Sequence, residues 1–163
     1  MPRDAEPRWF VDETSLGLGR ALALVRGDVV HPGHRRLLEV PESTPDLQWM
    51  PVVAERRLVV ISRDRHIKTK DAELRAFVDH RIRAFWIAGD RDMGNWDNLR
   101  RVVKWWDSME RITNERPEGP WFYSMFQGTL TEVTVRARMR RPRPQVGTGA
   151  RVQVREGQLD LGI

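Results

Sequence analysis

The 163-residue chain contains no cysteine, so neither a disulfide framework nor a thiolate zinc site can hold it together. It has no run approaching the ~18 to 20 apolar residues that a membrane span needs. The opening MPRDAEPRW is charged and lacks the apolar core of a secretory signal. These absences fit a reducing interior and predict a cytosolic protein that does not enter a membrane. A long glycine-rich phosphate loop is missing as well: Gly17 and Gly19 form a lone GLG, which is a weak signal, and closer backbone approach near the acids is its better reading. No internal repeat is evident. What the chain does have is 40% hydrophobic residues, enough for one domain to bury a core without staples.

The formal charge of +5 is unevenly placed. Seven arginines (136, 138, 140, 141, 143, 151, 155) stand after residue 135 against only Glu156 and Asp160, leaving 21 basic and 21 acidic residues in the body. The basicity belongs to the end of the chain. Such a segment can neutralise phosphates, but one rich in Arg, Pro and Gly is equally a soluble, flexible tail. The domain is therefore expected over 1–140, with a tail over 141–163.

The chemistry gathers around RWFVDE, residues 8–13, where Trp9, Phe10 and Val11 deliver two adjacent carboxylates, Asp12 and Glu13. This reads as a buried strand ending in acid, and strand ends of an open α/β sheet are where ligands bind. A second strand, Leu58–Ile61, delivers Asp64. Between the two, Asp46 opens the segment DLQWMPVVA. Three carboxylates of this kind are the minimum cradle for a hard divalent cation; the alternative is that Asp12 and Asp64 merely cap helices.

The remaining elements follow from periodicity and breakers. Residues 14–28 predict a helix capped by Thr14 or Ser15, with Leu18, Ala21, Leu22 and Val25 inward and Gly27 as C-cap. A short strand is expected at 28–30 and a polar stretch at 33–45. A helix follows over about 47–56, with Ser43, Thr44 or Asp46 as cap and Pro51 as an obstacle. Asp71 caps a helix through Phe77, Arg83–Ala88 forms another strand, and Asp92 or Asn95 caps a long helix over 96–112. Its tryptophans could stack bases, but their spacing suits a core. Residues 121–126 and 130–139 predict a hairpin about Gln127, Gly128 and Thr129, within a hairpin region of about 120–140. Along its second arm an apolar face alternates with a basic one.

The order of these elements, with FVDE at 10–13 and DLQWMPVVAERRLVVISRD at 46–64, resembles the PIN-like nuclease superfamily. Ser62-Arg63-Asp64 stands where that family has Ser or Thr, any residue, then Asp. Lys68, Glu73 and the hairpin sequence GPWFYSMFQGTLTEV are similar to the branch of VapC-type toxin ribonucleases. The resemblance covers about residues 8–135 and implies a three-layer α/β/α fold with a mainly parallel central sheet. It also implies that Asp12, Asp46 and Asp64, supported by Glu13, ligate Mg2+ or Mn2+ and cut RNA. The fourth acid is open among Glu73, Asp90 and Asp92. The partners implied are RNA, an antitoxin protein and a second copy of the chain.

Arg65, Lys68 and Lys70 follow Asp64 and could receive phosphates, or could simply be a solvated loop. His66 suits the surface better than general-base work. Two other classes compete with the nuclease. One is a receiver-like phosphoacceptor domain using Asp64, against which RAFWIAGD offers Asp90 where a lysine is needed. The other is a catalytically silent interaction module on the PIN-like fold.

Overall fold

Six short strands form one sheet in the order β2-β1-β3-β4-β5-β6 in the computed structural model, which describes residues 5–63, 71–89 and 93–135. They are β1 (Trp9–Val11), β2 (Val29–Val30), β3 (Val59–Ser62), β4 (Arg83–Ile87), β5 (Trp121–Met125) and β6 (Leu130–Glu132). The first five run parallel, and β6 turns back antiparallel to β5. Strands buried on both faces need near-continuous apolar residues, which WFV and the VVI ahead of Ser62 supply.

The helices α1 (Leu16–Val25), α2 (Asp46–Glu55), α3 (Asp71–Asp79) and α4 (Asn95–Glu115) complete three layers. On one face Phe10, Val60, Ala84 and Trp86 pack with Trp49, Met50 and Val53 of α2 and Phe77 of α3. On the other, Trp9, Val11, Ile61 and Phe85 pack with Leu18 and Leu22 of α1 and with Val102, Trp106 and Met109 of α4. Alternate strand residues point to opposite faces, so Trp9 and Phe10 each anchor a different layer. Trp9 meets Trp106 at 5.0 Å between ring centroids, and Phe10 meets Trp49 at 4.9 Å. Five of the seven tryptophans (9, 49, 86, 106 and 121) are buried.

Several local expectations are corrected. A 3-10 turn over Glu13–Ser15 precedes α1, and neither Thr14 nor Ser15 caps it with a side chain. Helix α1 ends at Arg26 in extended geometry, so Gly27 is not its cap. Val25, expected inward, is the last residue of α1 and is 75% exposed, whereas Leu18, Gly19 and Leu22 are buried. Pro45 precedes α2 in place of a polar cap, and Pro51 lies inside the helix. Helix α4 starts after Gly94, and Trp96 at its first turn is 67% exposed. The polar stretch 33–45 is a series of turns that drives Leu37 and Val40 fully into the core. The hairpin's second strand stops at Glu132; residues 136–139 and the 141–163 tail lie outside the described residues. Among the described residues no helix is long and apolar enough to cross a membrane.

Candidate active site at the carboxyl edge of the sheet

Parallel pairing places Val11 opposite Ile61, so the residues that follow, Asp12 and Ser62, leave the sheet side by side. The Asp12 amide donates to the Ile61 carbonyl at 3.1 Å and continues this pairing. Asp12 is almost fully buried, a position a carboxylate tolerates only when hydrogen-bonded. The Ser62 hydroxyl donates to Asp12 Oδ2 at 2.6 Å, and the Thr14 hydroxyl donates to Oδ1, also at 2.6 Å. These lengths are those of charge-assisted O–H···O bonds.

Thr14 also accepts from the Arg63 backbone amide at 3.3 Å. The residue just before Asp64 is thereby linked to Asp12 through one threonine. The Arg63 side chain reaches on to the Met93 carbonyl at 2.5 Å, joining the exit of β3 to the segment before α4. Thr14 and Ser62 as the partners of Asp12 were not foreseen from sequence. The available signal was a hydroxyl residue shortly after each of two apolar runs, Thr14 three residues past Val11 and Ser62 directly after Ile61.

Glu13 turns the other way. Both of its carboxylate oxygens lie 2.9 Å from the Ser43 amide. Ser43 leads into α2, whose first residue is Asp46, so Glu13 braces the loop that delivers Asp46. Asp46 itself accepts the Trp49 indole N–H at 3.0 Å. Each helix connects two parallel strands and therefore begins at the edge where the preceding strand ends. Asp12, Asp46 in the first turn of α2 and Glu73 in the first turn of α3 accordingly share this edge. The positive ends of the helix dipoles share it as well.

The oxygen donors Asp12 and Asp46 are of the kind a hard cation takes. Among the described residues no three His, Asp or Glu side chains gather closely enough to hold a metal ion. Asp64, Arg65, His66, Lys68, Lys70, Asp90 and Asp92 lie outside the described residues. Close by, the Ser15 amide donates to the Asp12 carbonyl at 3.1 Å. The Ser15 hydroxyl and the Asn98 side-chain oxygen on α4 are buried without a hydrogen-bond partner among the described residues.

The two glycines of α1 let this edge close. A Cβ on Gly19 would lie 3.0 Å from the His31 Cβ and 3.1 Å from the Val11 Cβ, beside Asp12; one on Gly17 would collide with the Asn95 side chain. Close approach is therefore what the GLG provides. The receiver-like alternative lacks its lysine, since β4 runs out into Ala88-Gly89 and β5 into Phe126-Gln127.

Residues 7–89, just over half of the chain, match the family described as a PIN like domain. The chain belongs to the PIN-like domain family. No curated protein and no solved structure matches it. The PIN-like match spans β1 through β4 and includes Asp12, Glu13, Asp46 and Asp64. Helix α4, β5 and β6 follow it and complete the three layers.

Proposed function

We propose that this PIN-like protein is a Mg2+- or Mn2+-dependent endoribonuclease built on Asp12, Asp46 and Asp64. The observation that carries the reading is Asp12: a carboxylate buried at a parallel strand end and oriented by Ser62 and Thr14 in a PIN-like chain. A divalent ion held there would activate water and stabilise the charge developing on a phosphodiester. Ser62 and Thr14 fix the Asp12 carboxylate, and Glu13 holds the loop ahead of Asp46. Asp90 or Asp92 would complete the acid set, with Glu73 in support. Arg65, Lys68 and Lys70 would receive phosphates, and the seven arginines after residue 135 would add long-range attraction for RNA. We propose a cytoplasmic toxin of a toxin-antitoxin pair as the biological setting, with an antitoxin protein and self-association as its protein contacts.

One observation favours a second reading, a catalytically silent module: Glu13 and Asp46 are each already engaged with protein donors. RNA cleavage assayed with Mg2+, with Mn2+ and with EDTA separates the two. The nuclease cuts with either ion, and EDTA abolishes the cut. A silent module leaves RNA intact under all three conditions.

A further inference from the structure

A groove of about 790 Å3 opens beyond the exits of β4 and β5 against α4. It begins at Met93, whose carbonyl holds Arg63, and so continues from the edge that carries Asp12. This volume is within the range of small-molecule sites. Its walls combine cations with exposed apolar surface. Arg100 lines it and makes no hydrogen bond or ion pair among the described residues. Lys104 lines it as well and donates to the Gln127 carbonyl, with its ammonium 5.2 Å from the Trp105 ring. Phe126 is 46% exposed and Val103 is 58% exposed. Asp97, the one described acid lining the groove, forms no ion pair with these cations. Arg101 is committed to structure: its guanidinium donates to the Ala88 and Met125 carbonyls and so fixes the two strand exits.

We infer that this groove binds single-stranded nucleic acid flanking the scissile site, with phosphates on Arg100 and Lys104 and an unpaired base on Phe126. The inference rests on the nuclease reading for what happens at Asp12, but the binding itself does not require cleavage. A cationic wall beside an exposed ring matches a strand that carries phosphates on one side and flat bases on the other. The chain's own arginine-rich end is excluded as occupant by its sign of charge. A duplex presents phosphates but no free base face, so Phe126 discriminates strandedness while Arg100 does not.

The test is fluorescence anisotropy on the full chain in EDTA, with a labelled single-stranded oligoribonucleotide and with the same strand in a duplex. Phe126→Ala is expected to weaken single-strand binding by about five- to a hundred-and-fiftyfold, the range of one stacked base, and to leave the duplex unchanged. The backbone bonds at Phe126, from Trp105 to its carbonyl and from its amide to Thr129, survive this substitution. Arg100→Glu is expected to weaken both ligands and to lower the salt slope by about 0.7 or more. Arg100 is exposed and has no partner among the described residues, so this variant is expected to fold, which its melting curve checks. Groove-dependent binding in a protein that never cuts RNA would sustain the inference and sink the nuclease reading. Cleavage by a protein in which both substitutions leave affinity unchanged would overturn the inference alone. Equal displacement of the oligonucleotide by an acidic peptide from the parent and from Phe126→Ala would also overturn it, since the ring would then play no part.

Discussion

Ser62 donates to Asp12 across the ends of two parallel strands at 2.6 Å, and both residues are almost fully buried. This bond orients the carboxylate on which the proposed activity depends. Ser62→Ala removes a hydroxyl donor to a buried charge, which costs about 1.5–3 kcal/mol. Asp12→Asn keeps the shape, and because the Ser62 and Thr14 hydroxyls can rotate to accept, its cost is about 1 kcal/mol. Urea unfolding is expected to rank Ser62→Ala as the less stable variant, while RNA cleavage is expected to rank Asp12→Asn as the less active one. The same ranking in both assays would contradict separate roles.

Arg26 carries a different load. Its guanidinium binds Asp28 through Nε and Nη2 at 2.9 Å each, reaches Glu110 at 2.9 Å, and lies 4.4 Å from the centre of the Trp106 ring. The Asp28 side chain is only 4% exposed, against 20% for Arg26. Arg26→Ala strands a buried carboxylate, and after a discount for the partly wet arginine the loss is about 2–3 kcal/mol. Calorimetric melting measures it. A loss within about 0.5 kcal/mol would place this cluster with ordinary surface pairs.

The glycines of α1 divide in sign. An alanine gains about 1 kcal/mol of helix propensity at either position. At Gly19 the new methyl meets Cβ atoms of Val11 and His31, which are anchored by backbone, so crowding of about 1–3 kcal/mol prevails. At Gly17 it meets the exposed Asn95 side chain, which can rotate away. Gly19→Ala is expected to lower the melting temperature, and Gly17→Ala to hold or raise it.

His34 predicts a pH effect. Burial lowers its pKa from the ordinary 6.5, helped by the charges of His31, Arg35 and Arg36. The unfolded chain therefore takes up this proton more readily than the folded one. The contribution is fully present above about pH 6.5 and is lost as pH falls toward the depressed folded value. Protonation also threatens the 3.3 Å bond from the Arg36 amide to His34 Nδ1. In His34→Asn, which retains an acceptor, the melting temperature should fall less between about pH 7.5 and 5 than in the parent. Parallel curves would contradict this assignment.

Short-range physics was legible in the sequence where a single element carried it. The runs WFV, VVIS and RAFWI announce strands, and acids directly after an apolar run mark an edge where ligands bind. Partnerships between distant segments were not legible. Strand register sets Ser62 beside Asp12, and no local pattern encodes register in parallel strands. Leu37 and Val40 lie in a stretch too polar to suggest burial, yet turns bring them into the layer of α2. Val25 and Trp96 satisfy helical spacing, yet they stand at the last residue of α1 and in the first turn of α4 and are exposed. The cap assignments failed because those side chains bond elsewhere: Thr14 donates to Asp12, two residues back, and Asp46 accepts the Trp49 indole N–H.

Crystals soaked in Mn2+ and measured at its absorption edge test the central claim most directly. An anomalous peak is expected with carboxylate oxygens of Asp12 and Asp64 within about 2.0–2.3 Å, near the hard-cation range, and it is expected to vanish in Asp12→Asn. A metal-saturated crystal with no peak at Asp12, or a peak that persists in Asp12→Asn, would contradict the account.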